Sequence, residues 1–256
     1  MNVAYDLHIH SSLSPCADND MTPNNIVNMS ILKGLDVIAI TDHNSCANVH
    51  AVLKCAQNTS LLVIPGMELE TAEEIHVVCL FPDIEKAKMM QNLVYSRLPN
   101  IRNKENIFGE QLILNEFDEL ISKEDRLLLI STSITINEVF QIVNQQLSGI
   151  AIPAHIDRQA NSILSSFGIM PEDIVIECVE ISDKNAENIV LAKDSKINNM
   201  KKIYSSDAHY LWNIHEREWF IDVESLTIEN VISALRRQKK ISVGGCFNEL
   251  YREQSK

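Results

Sequence analysis

The stretch Thr22-Pro23-Asn24-Asn25-Ile26-Val27-Asn28-Met29-Ser30-Ile31-Leu32-Lys33-Gly34-Leu35-Asp36-Val37-Ile38-Ala39-Ile40-Thr41-Asp42-His43 sets the terms of the fold. Thr22 is a capping residue, Pro23 sits where a helix tolerates a missing N–H, and apolar Ile26, Met29 and Leu32 mark one helical face. Gly34 supplies the helix end. The spacing therefore predicts a helix that leads straight into a strand over 35–40, with Thr41-Asp42-His43 immediately after it.

Outward from this unit, short β-branched runs recur at 3–7, 61–65, 75–81, 149–153, 174–181, 202–205 and 219–223. Strands alternating with helices imply a parallel α/β architecture. Thr135-Ile136-Asn137-Glu138 reads as a capping box opening a helix to about Leu147, closed by Gly149. Residues from Thr227 to about Gln238 read as a terminal helix. The segment 85–134 differs, because its helical periods (Leu112, Leu114, Phe117, Leu120, Ile121) come without a clear strand, as expected of a helical insertion or lid. No repeat, low-complexity segment or linker interrupts the chain, so one domain over 1–256 is the economical reading.

The 256 residues are 45% hydrophobic, enough for a sizeable core. With 22 Lys and Arg against 35 Asp and Glu, the formal charge of −13 repels a phosphate backbone and disfavours long nucleic acid as a partner. The first residues show neither a basic leader nor an apolar stretch, and no run approaches the ~18 apolar residues that cross a bilayer. Six cysteines without a C-x-x-C pair suit reduced thiols, so a cytoplasmic setting without membrane partners is expected. There is no G-x-S-x-G, G-x-x-x-x-G-K-[ST] or G-x-G-x-x-G, and seven glycines are few for phosphate-cradling loops.

The chemistry lies at strand ends. His8 and His10 of Asp6-Leu7-His8-Ile9-His10 fall on the same side of the first strand by period-two alternation. Asp42-His43, Glu68, His76, His155 and Asp207-Ala208-His209 each fall in or just after another predicted strand. In a parallel α/β barrel those ends face one another, so residues distant in sequence share one pocket. Imidazoles and carboxylates in this mixture suit Zn²⁺, Mn²⁺ or Fe²⁺, whereas Mg²⁺ and Ca²⁺ prefer oxygen alone. A carboxylate such as Glu68 can bridge two ions that share a hydroxide, which points to hydrolysis.

The pattern resembles the PHP (polymerase and histidinol phosphatase) domain family. The matching pieces are residues 6–11, 34–44, Pro65-Gly66-Met67-Glu68, Ile75-His76, Pro153-Ala154-His155 and Ser206-Asp207-Ala208-His209. The resemblance implies a distorted (βα)₇ TIM-like barrel and a metal-dependent phosphoesterase carrying two to three divalent transition-metal ions: manganese, iron or zinc. It places His8, His10, Glu68 and Asp207 on a first metal and His43, Glu68 and His76 on a second, with an early acidic ligand. A third is expected on His155 and His209, assisted by a first-motif histidine or a water. Glu68, Asp207 and His209 then form the catalytic set, and Arg158, three residues after His155, would hold the phosphate as a bidentate fork.

The early ligand is a departure from the family pattern. Counting forward from His10 lands on Pro15, which has no ligand atom, whereas counting backward from Pro23 lands on Asp18. Asp18 is the favoured ligand, with Cys16 and Asp20 as competitors. Asp6 and Asp42 read as carboxylates that orient an imidazole, Asp6 equally as a strand-end cap. His50 and His215 read as surface residues, Glu70-Thr71-Ala72-Glu73-Glu74 as a solvated turn, and Arg236-Arg237-Gln238-Lys239-Lys240 as a solvated helix face.

The expected activity is hydrolysis of phosphate esters of small molecules, such as nucleotides or short oligonucleotide ends, through a metal-bridging hydroxide. A nuclease acting on DNA or RNA, favoured by any basic groove around 85–134, and a non-catalytic metal-binding regulatory module are the alternatives.

Overall fold

The computed structural model describes residues 1–236. Residues 237–240 of the basic run, the predicted end of the last helix and Cys246 lie outside them.

All eight predicted strands form. A six-stranded sheet carries β1 (Asn2–Ile9), β2 (Val37–Ile40), β3 (Leu62–Glu70), β4 (His76–Leu80), β7 (Ile150–Pro153) and β10 (Phe220–Asp222) in the order β10-β1-β2-β3-β4-β7. A second sheet pairs β8 (Cys178–Glu180) in parallel with β9 (Lys201–Ile203). β1, β2 and β3 are parallel, with Tyr5 opposite Val37 and Ile38 opposite Val63. The expectation of a wholly parallel sheet fails at β3–β4, β4–β7 and β1–β10, which are antiparallel. The β3–β4 case follows from chain length: residues 71–75 are far short of the dozen or so that a parallel crossover needs, so the chain must turn back as a hairpin.

Single links join the two sheets. The Ile156 N–H donates to the Glu180 carbonyl at 2.9 Å, and Ala208 bridges Ile9 through His10 N–H to Ala208 O at 3.0 Å. One buried cluster takes residues from eight strands: Leu7, Val37 and Ala39, Ile64, Val78 and Leu80, Ile152, Cys178, Ile203 and Ile221. The intervening residues, among them Ile9, Ile38, Ile40, Val63, Val77, Cys79 and Ala151, belong to a second cluster with the helices. Burial on both faces explains why these strands read as continuous apolar runs rather than alternating ones.

Helix α1 (Pro23–Leu32) forms as expected, with the Thr22 side chain accepting from Asn25 N–H and Gly34 at φ 74°. α2 (Val49–Ala56) follows β2, and α3 (Ile84–Arg97) follows β4 with Ala87, Met90 and Val94 buried. After the short α4 (Glu105–Phe108), the segment expected to be helical folds instead as a hairpin of β5 (Leu112–Leu114) and β6 (Leu120–Lys123). Its turn is fixed locally: Asn115 Oδ1 accepts from the N–H groups of Phe117 and Glu119, both at 2.9 Å, and Asp118 takes φ 60°. Asn48, buried, then pins the hairpin by accepting from Leu114 N–H and donating to Leu112 O, each at 2.9 Å. Side chain to backbone bonding of this kind outweighs a weak helical period.

The capping box at Thr135 and Glu138 is present and opens α5 (Ile136–Phe140), which continues as one π-helical stretch, Gln141–Gln146. α6 (Ile163–Phe167) and α7 (Glu187–Lys193) flank β8, and α8 (Ile228–Arg236) places Val231 and Leu235 against the inner cluster.

Candidate metal centre

The sheet delivers its ligand-type residues to one place. His8 and His10 end β1 with their Nε2 atoms 3.2 Å apart. Glu68 lies on β3 beside His43, bridged to it through the backbone, and is 1% exposed. Its Oε1 lies 2.9 Å from His76 Nδ1, 3.2 Å from His155 Nε2 and 3.4 Å from His8 Nε2; its Oε2 lies 3.0 Å from His43 Nδ1 and 3.4 Å from His10 Nε2. Asp207 Oδ1 sits 3.0 Å from His10 Nε2 and 3.3 Å from His8 Nε2. His155 (φ 30°) and Asp207 (φ 51°) both occupy the left-handed region, a strained conformation that marks sites where geometry is imposed by function.

Three overlapping groups offer ligand atoms within 4.8 Å of one another: His8, His10, Glu68 and Asp207; His43, Glu68 and His76; and His10, His43 and His209. The residues fit divalent ions of the zinc, manganese or iron type, since the donors are imidazole nitrogens and carboxylate oxygens with no sulfur among them. His76 Nε2 and His155 Nδ1 are buried without a hydrogen-bond partner, an arrangement that costs free energy unless the centre as a whole is organised for something more.

The electrostatics of the bare side chains show how tightly the groups are coupled. Burial opposes charge on His8, yet Glu180, Asp207 and Glu68 raise its pKa well above the usual imidazole value. Burial likewise opposes charge on His76, but Glu68 and Glu70 push it up to about 10. Burial resists ionisation of Glu68, which His76, His8 and His43 nevertheless hold well below the usual carboxylate range. His209 is the opposite case, lowered to about 3 by burial and by His10. Its Nδ1 lies 2.8 Å from the Asp207 carbonyl, so that nitrogen carries the proton and Nε2 keeps a free lone pair.

Most expected residues meet here, while others stand outside the three groups or are placed differently. Asp18 does not join any of the three groups. Its Oδ1 accepts the Asp20 N–H at 2.8 Å in a local turn, while its own N–H donates to the His209 carbonyl at 2.9 Å. Cys16 and Asp20 are exposed and also stand outside the groups. Of the pair expected at a third ion, His209 groups with the first-motif His10 and with His43, while His155 lines the same cavity and contacts Glu68. Glu70 is no solvated turn residue but is buried, 3.7 Å from His76 Nε2 and accepting from Ser131 Oγ at 2.6 Å.

Arg158 reaches the centre, donating from Nη1 to Asp207 Oδ2 at 2.7 Å. Asp157 is engaged elsewhere, accepting from the Ser182 hydroxyl and the Ser182 and Asp183 N–H groups. Asp42 orients a ligand at one remove: it accepts from Ser14 Oγ at 2.7 Å, and Ser14 Oγ in turn meets His10 Nδ1 at 2.9 Å. Asp6 serves backbone N–H groups of Ser206 and His215 and touches no imidazole. His50 is exposed and His215 is half-buried, both away from the centre. Glu180, on β8, escaped the sequence reading although a carboxylate inside the apolar run 174–181 is itself a signal. Its carboxylate holds His8 Nδ1 at 3.0 Å and the His155 N–H at 3.1 Å.

The centre opens into a cavity of about 460 Å³ walled by His43, His76, His155, Arg158, Asn161 and His209. Among the described residues no helix is long and apolar enough to cross a membrane.

Three relatives set this geometry in context. The chain is 35% identical over 92 residues to a 5′-3′ exoribonuclease of Salmonella typhimurium, covering 34% of this chain and 30% of that one. It is 24% identical over 237 residues to an uncharacterized protein of Methanocaldococcus jannaschii, covering 92% of this chain and 25% of that one. In both cases the match spans less than a third of the relative's length. The fold resembles the lesion-specific endonuclease Q of Pyrococcus furiosus with a TM-score of 0.66 and 20% identity, covering 92% of this chain and 56% of that one. The PHP domain model matches residues 6–178. With that match over most of the chain and the ligand groups assembled as described, the chain belongs to the PHP domain family.

Proposed function

We propose that this chain is a metal-dependent phosphoesterase acting on phosphate esters of nucleotides or short oligonucleotide ends. The observation that carries the reading is the cavity lined by His43, His76, His155, His209, Glu68, Asp207 and Arg158, with the buried His8 and His10 grouped on the same Glu68 and Asp207. His8, His10, Glu68 and Asp207 would hold one ion and His43, Glu68 and His76 a second, with His209 available to a third. Bound there, divalent ions supply positive charge to phosphoryl oxygens and lower the pKa of water at the site. The chain's own groups do the rest. Glu68 balances charge between two ligand groups, His209 presents an unprotonated Nε2, and Arg158 binds phosphate by exchanging or sharing its bond to Asp207. The buried cluster shared among the strands of both sheets supports reading the curled sheet as a distorted (βα)₇ barrel.

A second reading, a nuclease acting on longer DNA or RNA, is favoured by the likeness to an exoribonuclease and to endonuclease Q. The charge around the cavity speaks for the smaller substrate. Residues 85–134 carry seven Lys and Arg against eight Asp and Glu. Several of those cations are already engaged: Lys88 with Glu85, Arg102 with Asp125, Lys123 with Glu105 and Glu110, and Arg126 with Glu124. No basic groove is built among these described residues to track a phosphate backbone.

The test is turnover by Mn²⁺-, Fe²⁺- and Zn²⁺-loaded protein on mononucleotides, 5′-phosphorylated short oligonucleotides, long single-stranded DNA and RNA, and duplex DNA. Release of phosphate or mononucleotide from the first two classes is expected. Activity confined to long nucleic acid selects the second reading, and metal binding without turnover on any phosphoester overturns both.

A further inference from the structure

The two histidines of the first motif are oriented by different carboxylates. His10 Nδ1 is held through the Ser14 hydroxyl, which Asp42 anchors. His8 Nδ1 instead meets a carboxylate directly: Glu180 Oε1 at 3.0 Å and Oε2 at 3.1 Å. With both Glu180 oxygens at Nδ1, neutral His8, the form a metal ligand takes, keeps its proton on Nδ1 and leaves the lone pair on Nε2, the atom that faces Glu68 and Asp207 at 3.4 and 3.3 Å. The same Glu180 Oε1 accepts the His155 N–H at 3.1 Å, and the Glu180 carbonyl accepts the Ile156 N–H at 2.9 Å. A single residue, 1% exposed at the end of β8, thus ties the carboxyl ends of β1 and β7 together. It does so where His155 sits at φ 30°, a backbone conformation that needs holding in place.

We propose that Glu180 is a positioning residue of the metal centre: it fixes the tautomer and ring orientation of His8 and sets the backbone that presents His155. The proposal rests on the reading of this cluster as a metal centre. Glu180 is not one of the grouped ligands, so its removal acts through His8 and His155 rather than by deleting a ligand atom.

Chelator competition with Mn²⁺ and Zn²⁺, with elemental analysis, on wild type, Glu180→Ala, Glu180→Asp and Glu180→Gln tests this, using circular dichroism to select folded variants. Loss of the oxygens in Glu180→Ala is expected to weaken one ion by roughly 10–100-fold, the usual effect of removing a carboxylate that orients a ligand. Glu180→Asp keeps the charge but falls a methylene short and is expected to weaken that ion comparably. Glu180→Gln keeps an acceptor oxygen in place and is expected to stay within a few-fold of wild type. In ¹⁵N spectra of the zinc-loaded protein, His8 is expected as the Nδ1–H tautomer in wild type and Glu180→Gln. Wild-type affinity in Glu180→Asp, or a His8 lacking the Nδ1 proton, overturns the proposal. Should Glu180→Ala fail to fold, Asp against Gln still decides: Gln weakened as much as Asp would show that keeping an acceptor oxygen in place does not suffice, which overturns it. Because the readout is metal affinity, absence of turnover on every phosphoester would strike the proposed reaction and leave Glu180's role standing. A wild type that binds no metal would end both.

Discussion

Glu68 is the residue on which the most interactions converge, with five imidazole rings within 3.4 Å of its two oxygens. Glu68→Gln keeps the shape and removes the charge, so activity is expected to fall by orders of magnitude with the circular dichroism spectrum unchanged; full activity would sink a shared-ligand role for this carboxylate. Arg158 is 43% exposed and is not one of the grouped ligands, so its truncation frees Asp207 Oδ2 but leaves the ligand groups intact. Loss of a hydrogen bond to a charged group is worth about 1.5–3 kcal/mol. Arg158→Ala is therefore expected to lower kcat/KM by roughly 10–100-fold, converting that energy at 1.4 kcal/mol per decade, with metal content retained. Asp18 gives the contrasting case. Its carboxylate is turned to the Asp20 N–H, so Asp18→Ala is expected to keep the metal content of wild type, and loss of one ion by elemental analysis would show that the loop closes onto the centre when metal binds.

At the scale of elements, the β3–β4 hairpin does most to shape the site, since it sets Glu68 opposite Val78 and brings His76 back to Glu68. Gly66 lies where that hairpin crosses β2, and a Cβ there would meet Thr41 Cγ2 at 2.9 Å, the Ile40 carbonyl at 3.0 Å and the Cys79 carbonyl at 3.1 Å. Two of those neighbours are backbone, so the strand must shift. Gly66→Ala is expected to cost about 1–3 kcal/mol in a denaturant titration and to weaken metal binding two residues away. The α5 cap is independent of the site. Thr135→Ala removes one half of the capping box and is expected to cost about 1 kcal/mol. The Thr135 N–H and hydroxyl hold the Glu138 carboxyl below its usual pKa. A carboxyl lowered on folding stabilises above its unfolded pKa and loses that contribution as pH falls through its folded value. The Thr135→Ala penalty is thus expected to shrink in acid, and one that grows in acid would contradict the cap.

Across the whole molecule, the centre concentrates coupled charge: six histidines with Glu68 and Asp207, flanked by Glu70, Glu180 and Arg158, lie where the strands' ends meet. Ions that bind only the folded state stabilise it by mass action, about 2.7 kcal/mol at a hundred times the dissociation constant. Chelation is therefore expected to lower Tm, and readdition of Mn²⁺ or Zn²⁺ to restore it; a Tm indifferent to chelator would contradict a metal centre. Because ligands must shed protons to bind, the restoring effect is expected to fade as pH drops. With a formal charge of −13, activity on short oligonucleotides is expected to change little between low and moderate salt.

The sequence by itself determined which residues could serve the centre and where the strands lie, because both are written locally. Ligand-type residues stand at strand ends, Thr22, Pro23 and Gly34 punctuate α1, and Thr135 with Glu138 caps α5. The 112–121 segment misled because its sparse apolar period says helix while Asn48, distant in sequence, bonds it as a hairpin. Strand direction after β3 was likewise invisible to side-chain patterning, since a strand buried on both faces reads the same in either direction. Only the tertiary structure decided which imidazoles share a carboxylate, and that the Asp18 carboxylate bonds the Asp20 N–H while Glu180 and Glu70 face His8 and His76. Those outcomes depend on side chains 172 or 8 residues apart meeting within hydrogen-bond or ion-pair distance, as His8 meets Glu180 and His76 meets Glu68. The curl of the sheet sets such distances, and no local spacing encodes it.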